Sequence, residues 1–178
     1  ETEEIKATDS FSFYFNQGVG LGPKVSHTLS PDTLTNRDVT ITVKAEDMPK
    51  LEITDVKVTA GTTMKATENK KYTFTITYKL KGREKSFLYP VWVDNIDKTA
   101  PVLTYTPVIV VEEEQQETVE KLFGEALSVA DNHRLAEKPL TYTIPKDIAA
   151  LPGKKTIKVT ASDDAGNTTT KDCVITVT

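Results

Sequence analysis

Tyr72-Thr73-Phe74-Thr75-Ile76-Thr77-Tyr78-Lys79-Leu80 places apolar residues at the even positions and polar ones at the odd positions between them. A period of two belongs to a β-strand, whose successive side chains point to opposite faces, and a helix has no use for it. Lys81-Gly82-Arg83-Glu84 follows, and then Phe87, Tyr89, Val91 and Val93 resume the alternation. The stretch predicts a β-hairpin turning through Lys81–Glu84, with one face on a core and threonine on the wet face. The same reading extends outward in both directions. Val39, Ile41, Val43 and Ala45 alternate with polar residues, as do Leu140, Tyr142 and Ile144, then Ile157, Val159 and Ala161, then Cys173, Ile175 and Val177. Composition agrees. The 178 residues include 28 Thr, 17 Val and 10 Ile, β-branched side chains that are stiff at χ1 and suit a pleated, half-buried surface. The fold class expected is all-β.

A longer repeat lies above the strands. Pro23 and Pro101 each open a short β-prone stretch that ends at another proline, and they lie 78 positions apart. That period suits a small β-sandwich of about seven strands. Two tandem modules follow, residues 1–98 and 99–178, joined near Asp97–Ala100 by a short joint that proline stiffens. Phe11, Phe13 and Phe15 predict an extra strand near residues 10–17 that packs on module 1. Val119, Leu122 and Phe123 predict one or two helical turns from Thr118 through Gly124.

The composition withholds most chemistry. One cysteine excludes an intrachain disulfide and a cysteine metal cluster. His27 and His133 have no ligand-like neighbours, and Cys173, expected to be a buried thiol, has no histidine placed beside it as a base. A formal charge of -4 argues against a nucleic-acid partner. No apolar run reaches the roughly 20 residues of a membrane helix. The opening Glu1-Thr2-Glu3-Glu4 reads as a piece cut from a longer chain.

Two candidate sites remain. Asp163, Asp164 and Asn167, with Asp131 and Asn132, could gather oxygens for calcium, which takes six to eight of them. The plainer reading is a turn, since Asp and Asn side chains mimic backbone turns and Gly166 supplies positive φ. The turn is favoured, because neighbours such as Asp163 and Asp164 diverge on a strand and Asp131 must arrive from a distant loop. The expectation is therefore no cofactor, no tight metal and a fold insensitive to calcium. Asp94, Asn95 and Asp97 at the joint invite the same idea and the same answer. Trp92 and Tyr89, with Tyr14, could form a platform for sugar rings, against the alternative that they simply pack.

Three motifs carry a resemblance. Leu34-Thr35-Asn36-Arg37-Asp38-Val39-Thr40-Ile41-Thr42-Val43 resembles the opening strand of Ig-like repeats in Gram-positive cell-surface proteins, and Val93 through Pro101 resembles their inter-repeat junction. Leu151-Pro152-Gly153 through Asp163-Asp164-Ala165-Gly166-Asn167-Thr168 resembles the closing hairpin of another bacterial Ig-like type; module 1 has Lys-Gly-Arg-Glu where that turn would stand. The resemblance implies two tandem Ig-like β-sandwiches in a secreted or wall-associated extracellular protein, with no catalytic residues. The expected role is a monomeric, non-catalytic spacer or adhesion segment. Its partners would be neighbouring modules of the same chain, or a host or cell-surface protein or glycan. The competing role is a carbohydrate-binding accessory region of a secreted glycoside hydrolase. Lys44, expected to point outward, makes an isopeptide crosslink to Asn95 unexpected.

Overall fold

A computed structural model describes residues 21–178. The Phe11–Phe15 strand and Tyr14 lie outside them. The chain divides into two compact units that meet between Ile96 and Asp97, two residues before the boundary expected from sequence.

Module 1 is built from β1 (Lys24–Ser30), β2 (Val39–Glu46), β3 (Ile53–Thr59), β4 (Thr63–Ala66), β5 (Lys70–Leu80) and β6 (Arg83–Val93). They form two three-stranded sheets, β1-β2-β4 and β3-β5-β6, joined by a 3₁₀ turn at Pro49–Leu51 and by later crossings. Consecutive strands that separate into opposite sheets in this order make an Ig-type sandwich. The inner faces supply the core: Val25, Val39, Ile41, Val43 and Ala66 from one sheet, Tyr72, Phe74, Ile76, Tyr89, Val91 and Val93 from the other. The deciding hairpin is present. Leu80 pairs with Arg83, leaving Lys81 (φ 50°) and Gly82 (φ 73°) as a two-residue loop. Positive φ at both positions follows the right-handed twist of the flanking strands.

Module 2 is built differently. Its strands are β7 (Val102–Tyr105), β8 (Val108–Val110), β9 (Leu127–Ala130), β10 (Leu135–Thr141), β11 (Gly153–Asp163) and β12 (Thr168–Val177). One sheet runs β10-β11-β12-β8 and the other is the pair β7-β9. The first strand is thus divided between the two sheets, and β8 runs parallel to β12 with Val108 opposite Ile175. Helix α1 (Gln116–Glu125) sits between β8 and β9, longer than the one or two turns expected. Its buried residues, Val119 and Phe123, are spaced i, i+4 on one face. Phe123 meets Tyr105 at 5.4 Å and Tyr142 at 5.2 Å, so the helix closes the core that the two-stranded sheet leaves open. The strand expected at Leu140–Ile144 begins earlier, at Leu135, and slips register before Leu140. Tyr142 and Ile144 still pack on the core from beyond its end. Cys173 is fully buried beside Ile157, and burial pushes its thiol pKa up.

Candidate functional site

One loop cluster at an end of module 2 gathers three carboxylates from distant parts of the sequence. Asp97 opens the segment that enters β7, Asp131 follows β9, and Asp163 closes β11. One oxygen from each lies within 4.8 Å of the others. Asp97 and Asp163 are each 4% exposed, and Asp131 is half-buried.

Neutral amides hold the three in place. The Thr99 N–H donates to Asp97 Oδ1 at 3.0 Å, and Asn132 Nδ2 donates to the same oxygen at 3.3 Å. The His133 N–H donates to Asp131 Oδ2 at 2.8 Å. Asn167 is the organiser. Its N–H donates to Asp163 Oδ1 at 2.7 Å, and its Nδ2 donates to Asp163 Oδ2 at 2.7 Å and to the Asp97 carbonyl at 2.9 Å. The expected turn is therefore real, and Asn167 extends it into a clasp on the chain entering the module. Thr169 Oγ1 adds a bond to the Pro101 carbonyl at 2.6 Å. After these bonds Asp97 Oδ2 and Asp131 Oδ1 remain buried without a hydrogen-bond partner.

Of the five residues the sequence nominates together for a metal, the structure brings Asp131, Asn132, Asp163 and Asn167 into one cluster. Asp164 is a correction. It turns outward and pairs with the Arg134 guanidinium, as its alternation with inward Asp163 requires. Asp97 joins them from a separate candidate group, the Asp94, Asn95 and Asp97 set at the joint.

Among the described residues the aromatic platform does not assemble. Tyr89 is 3% exposed in the module 1 core, its hydroxyl 2.8 Å from His27 Nδ1, and burial raises its pKa. Trp92 is 68% exposed on the opposite face of β6, with Lys71 Nζ 5.9 Å from its ring centre. Strand alternation separates the two, so Tyr89 is a packing residue and Trp92 shares its face with exposed Leu88. Lys44 is exposed and paired with Glu46 at 2.6 Å, while Asn95 Nδ2 donates to the Pro31 and Thr33 carbonyls.

No protein-family model and no curated protein sequence matches the chain. A solved structure described as fibronectin(III)-like modules of Clostridium thermocellum CbhA is similar at 16% identity and a TM-score of 0.32, covering 85% of this chain and 93% of that one. The fold class here rests on strand order and core, not on that likeness.

Proposed function

We propose that this chain is a non-catalytic spacer or adhesion segment of a larger extracellular surface protein. The observation that carries the reading is the path of the chain through module 2. In module 2 it enters at Asp97, clasped by the β11–β12 turn, and reaches Val177 at the far end of β12. In module 2 entry and exit thus stand at opposite poles, about 30 Å apart along a strand of 10 residues. A module threaded this way adds length to a chain. A tension applied between the poles of module 2 runs along the parallel β8–β12 pair and loads its bonds together.

Single-molecule pulling on the tethered chain tests this. Two separate unfolding events are expected, each releasing on the order of 200 Å of chain. One continuous extension without events would overturn the spacer reading. The carbohydrate-binding alternative has one favouring observation, the exposed Trp92 face with Leu88. A glycan array decides it: saturable binding that Trp92→Ala abolishes would replace the spacer reading with an accessory binding module.

A further inference from the structure

The geometry points to a calcium site formed by Asp97, Asp131 and Asp163. It replaces the sequence expectation of a fold insensitive to calcium, and it stands whether or not the spacer reading holds. Clustered acidic side chains are ordinary on a wet surface, where water separates their charges. These are not on one. Asp97 and Asp163 are 96% buried, and a buried carboxylate oxygen with no donor carries its full desolvation cost. Asp97 Oδ2 is such an oxygen, and Asp131 Oδ1 is a second. A fold selected only to tie a turn would have placed an amide there, as the amides of Asn132 and Asn167 show is possible in this same cluster.

The spacing suits the ion. Oxygens bound to one calcium at about 2.4 Å lie at most ~4.8 Å apart, and one oxygen from each of these three carboxylates falls within 4.8 Å of the others. The ligand set is all carboxylate, without imidazole or thiolate among the three, which selects a hard cation over zinc or copper. Magnesium demands a tighter octahedron near 2.1 Å and gives up water reluctantly. Three carboxylates from three separate segments, completed by water, suit the looser shell of calcium. The hydrogen-bonding amides orient the carboxylates in advance, so the loops need little rearrangement on binding. The result is a cation that fastens Asp97, the first residue of module 2, to the β9–β10 loop and the β11–β12 turn. A site of only three carboxylates completed by water is a weak one, with an affinity on the order of 10⁻⁴–10⁻³ M.

The experiment uses the full chain and calcium chloride alone. Titration calorimetry is expected to show one calcium per chain. Thermal melts in saturating calcium should exceed those in chelator by roughly ten degrees or more at a hundredfold excess over the dissociation constant. The gain should lie in the module 2 transition, read through the reactivity of Cys173. Asp97→Asn abolishes the binding heat and the shift, and Asp172→Asn, on an exposed strand face, keeps both. Should Asp97→Asn fail to fold, Asp131→Asn provides the same test, since its Oδ1 can still accept from the His133 amide. Overlaying melts with no binding heat would overturn the proposal. So would a calcium response that survives Asp97→Asn and Asp131→Asn.

Discussion

The last residues of module 1 and the first residue of module 2 are consecutive, yet they are secured by opposite chemistry. At the exit of module 1, Asn69 Nδ2 donates to the Ile96 carbonyl at 2.7 Å while its Oδ1 accepts from the Ile96 N–H at 2.9 Å. Asn95 Nδ2 reaches two more carbonyls, and the Thr35 N–H donates to the Asn95 carbonyl at 2.9 Å. An amide donates and accepts at once, so that corner is largely self-sufficient, with Asn95 Oδ1 its one unpartnered buried oxygen. At the entry of module 2 the same task falls to Asp97, Asp131 and Asp163. An ionised carboxylate only accepts. Three of them facing one another depend on something that donates or carries positive charge. The neutral corner closes all but Asn95 Oδ1 by folding, and the acidic one is finished by what it binds.

Exchanging the two chemistries gives the largest expected effect. Asn69→Asp removes the donor to Ile96 and aims a carboxylate at its carbonyl. Module 1 should lose about 2 kcal/mol, a fall of roughly ten degrees in melting temperature. Trp92, the one tryptophan, lies in module 1 and provides a fluorescence readout. An unchanged melt would show that the amide corner does not hold the exit of the module.

The reverse exchange should be smaller and of opposite sign. In chelator, Asp97→Asn turns the open acceptor into a donor toward its acidic neighbours. Module 2 should gain about 1 kcal/mol while losing its response to calcium. A loss of stability in chelator would mean that the Thr99 and Asn132 bonds to Asp97 outweigh the repulsion among the three carboxylates.

Acid separates the modules further. Burial holds the His27 pKa below its ordinary 6.5, so the folded state favours the neutral ring. With the folded value lowered, the unfolded chain takes up protons first as pH falls. Module 1 stability is therefore complete above about 6.5 and declines as pH drops through that value toward the lowered one. His27→Gln should flatten this slope in melts between pH 7.5 and 5, and an unaltered slope would assign the acid sensitivity to another group.

The smallest effect calibrates the rest. Lys158 and Asp172 pair at 3.0 Å on an exposed face of module 2. Lys158→Ala should shift stability by no more than about 0.5 kcal/mol, and a larger shift would weaken any attribution of the other changes to the two corners.

The hairpin from Lys70 to Val93 was legible from its letters because a strand's alternation is local: each side chain's face is set by its neighbours in the chain. The same reasoning reached Ile157–Ala161 and Cys173–Val177, and it foretold that Asp163 and Asp164 would diverge. Helix α1 was only half legible. Val119 and Phe123 announce one buried face, but its full length depends on Tyr105 and Tyr142, which arrive from elsewhere to cover Phe123. Aromatic identity alone leaves Tyr89 open as a ligand contact or a packing residue, and the alternation that groups it with Val91 and Val93 points to packing, where it lies. The acidic corner was legible only in part: Asp131, Asp163 and Asn167 stood together as candidates, and Asp97 stood apart at the joint. Asp97, Asp131 and Asp163 are more than 30 positions apart, and no local period links them. Sequence alone determined which residues form strands and which side of each strand faces the core. Only the tertiary structure decided that three strand ends meet, because loops separated in sequence converge where a sandwich closes, and burial there turns ordinary aspartates into a site.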